Sequence, residues 1–454
     1  MRKLAIIVLA VASTTSMAQP TPPMAPDIPP KFDPPRKADF VRREVMIAMR
    51  DGVKLKTVIL IPNGAKRAPM ILTRTPYDAQ KRAQRAPSNS MAGSTGVGVD
   101  ALVAGGYILV YQDVRGKYGS EGDYVMTRPL RGPLNNTAVD HATDAYDTID
   151  WLVKNVHESN GKVGMMGSSY EGFTVLMALA NPHPALRAGV PMCPMVDGWR
   201  GDDWFHNGAY RQVNMGFFLD QNTARGDGTS VPNGHYDDYE AFRRAGSAAS
   251  YAKQLGIDAL PFWKKLTEHP TYDVYWQGQA LDKVLAKVPL TVPTMFVAAL
   301  YDQEDSYGGV AAYLAREALD QANEENFLVL GPWRHSGMSY DGRTLGPLDF
   351  GVDTAAHFRR DVLRPFFDAR LKDKAPPYTP PPVYAFVIGT HVWKKLPAWP
   401  PPVTKQKLYL GGFTPPTTGA EYDEYTADPR EARAVRATPC PIRGHGQLAD
   451  LAPC

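Results

Sequence analysis

Between residues 55 and 371 short apolar runs alternate with stretches of helical periodicity, and that rhythm admits few folds. The runs at 55–61, 70–72, 107–111, 162–166 and 188–191 read as buried strands, being short, apolar and bounded by turn residues. Asp51-Gly52, between 45–49 and 55–61, supplies the positive φ of a tight hairpin turn. Residues 141–156 carry apolar positions at the spacing of an amphipathic helix, and 170–180 is a helix stopped by Asn181-Pro182. This predicts a mostly parallel sheet flanked by helices. The rhythm lapses over 197–288, where aromatic, Asp and Gly residues mix with helical patches at 239–244 and 257–266. That stretch reads as a helical cap inserted over the sheet. Strands at 294–298 and 326–330 and a helix over 354–371 restore the pattern, so the core comprises 37–196 and 289–374. After a proline-rich linker, 383–388 and 406–410 read as strands of a separate all-β unit over 375–426.

The ends carry other signals. Arg2 and Lys3, the apolar run 4–12 and Ser16-Met17-Ala18 form a secretory leader over 1–18, which predicts a periplasmic or secreted protein. Residues 19–36 form a proline-rich arm. The apolar run of the leader is too short to span a bilayer, and no later run is long enough, so no membrane anchor is expected. The formal net charge is +3, of which Arg2 and Lys3 supply two, which gives no reason to expect a nucleic-acid partner. There are three cysteines, Cys193, Cys440 and Cys454; two lie in the last 15 residues, so no disulfide framework is implied. Cys193 sits in an apolar run and reads as core packing. Residues 427–454 lack strand alternation and scatter Arg, Ala and Pro, the composition that a shifted reading frame in a GC-rich gene produces.

Gly167-Ser168-Ser169-Tyr170-Glu171-Gly172 joins a predicted strand to a predicted helix. This is the setting of a nucleophile elbow, a strained turn that lifts a serine hydroxyl above the sheet, although the second glycine comes one residue later than in G-x-S-x-G. A serine nucleophile needs a base, and the base an orienting acid. Asp302 follows the strand 294–298, and His335 follows the strand 326–330, so acid and base stand in the chain order this architecture uses. Other patterns carry nothing. Gly96-Val97-Gly98-Val99-Asp100-Ala101 mimics a dinucleotide fingerprint, but the polar run 80–94 precedes it instead of a strand. His445 between Cys440 and Cys454 fits no zinc spacing, and neither a metal nor an organic cofactor is expected.

The combination of motifs resembles the α-amino-acid ester hydrolases, within the wider group of cocaine-esterase-like and X-prolyl dipeptidyl-peptidase-like serine hydrolases. The matching runs are Arg74-Thr75-Pro76-Tyr77-Asp78, Gln112-Asp113-Val114-Arg115-Gly116, residues 164–173, Pro194-Met195-Val196-Asp197-Gly198-Trp199, Gly201-Asp202-Asp203-Trp204-Phe205-His206, Asp302-Gln303-Glu304-Asp305 and residues 331–335. Similarity runs from about residue 29 to about residue 426. It implies an α/β-hydrolase core with an inserted helical cap and the start of a β-jelly-roll domain, truncated here. It makes Ser169 the nucleophile, His335 the general base and Asp302 its orienting acid. The oxyanion donors it implies are the backbone N–H of Tyr170 and the Tyr77 hydroxyl, and a carboxylate cluster of Asp203, Glu304 and Asp305 would bind the substrate's α-ammonium.

The resemblance further implies ping-pong acyl transfer on an α-amino ester or amide. The acyl group would pass to water or to an amine such as a β-lactam nucleus, with the proline-rich arm serving assembly of a homotetramer. Two alternatives stand beside it. One is a hydrolase of the same fold acting on simple esters, glutaryl amides or X-prolyl peptides. The other is a non-catalytic product of a damaged gene.

Overall fold

The computed structural model describes residues 31, 37–201, 203–229 and 238–404. The leader, nearly all of the arm, the strand expected at 406–410, the tail and its Cys440, His445 and Cys454 lie outside the described residues. The architecture below is that of the unit ending at Pro401.

Ten strands form one sheet: β1 (Phe40–Ala48), β2 (Lys54–Pro62), β3 (Ala68–Thr75), β4 (Ile108–Asp113), β5 (Ser159–Ser169), β6 (Leu186–Pro194), β7 (Thr294–Ala299), β8 (Asn326–Gly331), β9 (Val383–Val387) and β10 (Val392–Leu396). Their spatial order is β1-β2-β4-β3-β5-β6-β7-β8-β9-β10. β1 and β2 make the expected hairpin, with Ala48 opposite Lys54 and Gly52 at φ 87° in the turn. β2 pairs antiparallel with β4, and the strands from β4 through β9 then run parallel. This is the mostly parallel, helix-flanked sheet that the alternation predicted, and the α/β-hydrolase core that the resemblance implies.

One expectation fails. The strand read as the start of a separate β unit, β9, pairs in parallel with β8 through Leu328–Val383 and Leu330–Ala385 and belongs to the central sheet. Val383 and Ala385 are buried in the same apolar cluster as Leu328 and Leu330. A short alternating strand takes whichever edge offers it an apolar face, and a preceding run of prolines does not decide that.

Every residue of β3, β4, β7 and β8 is buried, as strands covered on both faces must be. Successive side chains enter opposite cores. On β4, Ile108 and Val110 face one cluster while Leu109 and Tyr111 face the other. On β8, Leu328 and Leu330 face the first, and Phe327 and Val329 the second. The first core is closed by α1 (His141–Asn155) and α2 (Tyr170–Ala180). α1 opens with a capping box: the Asp140 carboxylate accepts from the Thr143 N–H at 2.7 Å and the Thr143 hydroxyl faces the Asp140 N–H at 2.8 Å. α2 is buried along almost its whole length, and each of Val175, Leu176 and Leu179 contributes about 1.5–3 kcal/mol by leaving water.

Short helices from Met215–Thr223 to Leu281–Leu285 build the cap. Trp204 anchors it, packing edge-on against Phe262 at a 4.9 Å centroid distance. The fully buried Lys117 ties cap to core by donating to the carbonyls of Gln221, Ala224 and Gly226 at 3.0–3.3 Å. Those carbonyls lie at and just beyond the C-terminus of the helix Met215–Thr223, where a cation is favoured. No helix among the described residues is long and apolar enough to cross a membrane.

Candidate active site

The matched sequence runs divide into scaffold and site. Arg74 is fully buried and donates to the Gln112 side chain and the His141 carbonyl, each at 2.8 Å. Arg115 joins Asp51 of the hairpin turn to Asp144 of α1, both at 2.7 Å. Asp113, whose pKa burial pushes up to about 6, accepts from the N–H of Ala79 at 2.6 Å and of Gly119 at 3.1 Å. It thereby fixes the chain two residues after Tyr77. These residues hold loops in place and leave the pocket to others.

Ser169 ends β5 with φ 63° and ψ −128°, a left-handed conformation that costs a non-glycine residue of order 1–3 kcal/mol and marks functional turns. The glycines around it are required by close approach. A Cβ on Gly167 would lie 2.4 Å from the Glu171 Cβ, and one on Gly172 would lie 2.8 Å from the Met192 carbonyl oxygen of β6. The late glycine is therefore the one that faces β6. Ser168, the residue before it, shares a 2.7 Å hydrogen bond with Ser336.

Ser169, His335, Tyr77 and Glu304 line one cavity of about 350 Å³ above the sheet. His335 turns Nδ1 to Asp302, 2.8 and 3.0 Å from its two carboxylate oxygens. Asp302 also accepts from the backbone N–H groups of Glu304 and Asp305 at 2.8 and 3.2 Å. Burial opposes its charge, but His335, the Glu304 N–H and Cys193 outweigh burial and hold its pKa below the usual carboxylate value. Burial likewise opposes protonation of His335, and Asp302, Glu304 and Asp203 together raise its pKa above the usual imidazole value.

Tyr77 lines the cavity with Ser169, and burial beside Glu171 drives its pKa well above the usual phenol value. It therefore keeps its proton, as an oxyanion donor must. The Tyr170 hydroxyl is used elsewhere, accepting from the Thr127 N–H at 3.1 Å and lying 3.3 Å from His141 Nε2. Tyr170 begins α2, so its backbone N–H is one of the donors a helix leaves open at its start.

The three acids separate. Glu304 lines the cavity, its carboxylate 3.6 Å from His335 Nε2. Asp203 lies behind it, buried, and burial together with the Glu304 charge raises its pKa to about 7. Asp305 is fully buried on the other side of the imidazole, 3.8 Å from His335 Nδ1, which places it against the Asp302–His335 pair.

Two further features escaped the sequence. Cys193, read as packing, is buried in the second apolar cluster as expected, but it also has φ 39° and its sulfur lies within 4.8 Å of the Asp302 carboxylate and the His335 ring. Burial drives its thiol pKa well up, so the thiol near Asp302 stays protonated. A cysteine at the end of a strand next to the acid-bearing strand was the available signal. Arg82 pairs with Glu171 at 2.8 Å in the cavity wall, and the charge inside the elbow sequence pointed to it.

With this geometry in hand, comparisons place the chain among known proteins. The family described as X-Pro dipeptidyl-peptidase (S15 family) matches residues 51–337. A solved structure of an α-amino acid ester hydrolase labelled with selenomethionine is 60% identical, covers 84% of this chain and superposes with a TM-score of 0.80. An aminopeptidase from a marine sediment Thaumarchaeota archaeon is 51% identical over 83% of the chain, with a TM-score of 0.79. The cocaine esterase of Rhodococcus sp. (strain MB1 Bresler) is 29% identical over 82% of it. The chain spans 62% of the length of each of these three relatives.

Proposed function

Because the chain belongs to the X-Pro dipeptidyl-peptidase (S15) family, we propose that it is a serine hydrolase of α-amino acid esters and amides acting through an acyl-enzyme. Ser169 attacks the carbonyl while His335, oriented through Nδ1 by Asp302, takes the hydroxyl proton on Nε2. The Tyr77 hydroxyl and the Tyr170 N–H receive the negative charge that develops on the carbonyl oxygen. The alcohol or amine departs with the proton from His335, and water repeats the sequence in reverse roles. An amine acceptor replaces water in the synthetic direction. A β-lactam nucleus acylated with an α-amino acyl group is one such product, and the α-amino ester or β-lactam is the substrate class.

The observation that carries the choice of an amine-bearing acyl group is the Glu304 carboxylate in the cavity wall beside the His335 Nε2 edge, with Asp203 behind it. An ammonium placed there meets two acids in a partly dry site, where a charge contact is worth more than the roughly 1 kcal/mol it has in water. The test compares an α-amino ester, its N-acetyl analogue and the ester lacking the amine. The free-amine ester is expected to lead in kcat/KM by about 10–100-fold, equivalent to roughly 1.4–2.8 kcal/mol. Equal rates on all three would leave a general esterase.

The acid limb of the pH profile should differ between these substrates. For an ester without the amine, kcat/KM falls as pH drops through an apparent pKa above 6.5, where His335 takes up the proton that blocks it as a base. For the α-amino ester the fall is steeper and begins near pH 7. There Asp203, raised by burial and by Glu304, gains a proton and stops attracting the ammonium. Superimposable profiles would remove Asp203 from the ammonium site.

A further inference from the structure

The cavity is electrically two-ended. Glu304 and Asp203 follow β7 and β6, on one side of β5 in the sheet order. Arg82, Arg85 and the Gly96, Gly98 and Val99 wall follow β3, on the other side of β5. Ser169, at the end of β5, stands between them. Glu171 neutralises Arg82 across 2.8 Å. Arg85 is an exposed residue that lines the cavity, and it has no carboxylate within ion-pair distance among the described residues.

Its placement is built. The Arg85 N–H donates to the Ser94 carbonyl at 2.8 Å, closing the 85–94 segment. The side chain passes close to Gly96, where a Cβ would come within 2.8 Å of Nε and 3.1 Å of Cζ. Gly98 makes a similar allowance, since a Cβ there would meet the Ser339 Cβ at 2.9 Å. Gly96, in the run that mimics a dinucleotide fingerprint, thus leaves room for the Arg85 guanidinium at the cavity wall.

From this we infer that Arg85 anchors a carboxylate on the leaving group, so that the site selects substrates with an ammonium on the acyl side and a carboxylate on the departing amine, the class of free dipeptides. The inference rests on the serine-hydrolase reading above. The chemical step is unchanged: the Ser169 Oγ–acyl bond forms, the C–N bond breaks, and the proton taken by His335 goes to the departing nitrogen. In the synthetic direction the same anchor receives amino-acid acceptors with a free carboxylate. A guanidinium offers a planar fork that matches a carboxylate with two parallel hydrogen bonds, which an ammonium does not.

The experiment measures kcat/KM of the full-length protein for an α-aminoacyl-glycine and for the corresponding α-aminoacyl-glycinamide, which differ only in the terminal charge. The wild type should favour the free carboxylate by about fivefold at low salt, with the ratio falling as salt rises. Arg85→Ala should bring the ratio to about one, and Arg85→Lys should leave an intermediate value. Calorimetric binding of the same two compounds to the Ser169→Ala protein reads the preference without turnover. A wild-type ratio of one, equal affinities, or a preference that survives Arg85→Ala overturns the inference. Failure of the ammonium reading shows separately, as equal rates on esters with and without the α-amine.

Discussion

Ser169→Ala is expected to lower kcat for an α-amino ester by roughly 10⁴-fold or more, leaving only what oxyanion contacts and binding supply. The loss is chemical and not structural. Alanine keeps the backbone of the elbow, whose φ of 63° is imposed by β5, α2 and the two close-packed glycines. Among the described residues neither neighbouring candidate replaces it: Ser168 is held to Ser336 at 2.7 Å, and Cys193, outside the cavity lining, is buried with its thiol kept protonated. Ser168→Ala removes one neutral hydrogen bond, about 0.5–1.5 kcal/mol, from the residue next to His335. It should cost no more than about tenfold. Turnover and labelling by a fluorophosphonate read both variants. Retained labelling of Ser169→Ala, or a loss in Ser168→Ala as deep as in Ser169→Ala, would reassign the nucleophile.

The sequence made the architecture legible where local physics decides structure. The Asp51-Gly52 turn, the strands at 70–72, 107–111 and 326–330, and the helix over 170–180 are each set by apolar periodicity and punctuation, and all are present. Asp302 and His335 fall after β7 and β8 and meet at 2.8 Å, because loops at the same end of a parallel sheet converge. What stayed hidden depended on which strand lies beside which. β9 joined the central sheet because an edge was open at β8. Cys193 reached Asp302 because β6 and β7 are neighbours in space and the chain kinks at φ 39°. Arg82 and Arg85 sit in the polar run 80–94, and only the fold brings them to the cavity that Ser169 also lines.

Glu304→Gln and Asp203→Asn should separate the binding of the amine from the chemistry. Each removes a negative charge close to where the ammonium would lie, and should cut kcat/KM for an α-amino ester by about 10–100-fold, mostly through KM. An ester without the amine should lose about threefold at most, because the attraction has nothing to act on. Glu304→Gln carries a second signature. Glu304 helps raise the His335 pKa and, after burial itself, is the largest cause raising that of Asp203. Removing its charge should therefore move the acid limb of the kcat/KM profile to lower pH for both substrates. A purely structural acid has no reason to shift both limbs while sparing one substrate. Asp305→Asn provides the contrast. Its carboxylate stands 3.8 Å from His335 Nδ1 and does not line the cavity, so its loss should weaken turnover of both esters alike. If instead Glu304→Gln and Asp305→Asn depress both substrates to the same degree, the three acids act together as support for His335, and selection for the α-amine must lie elsewhere in the cavity.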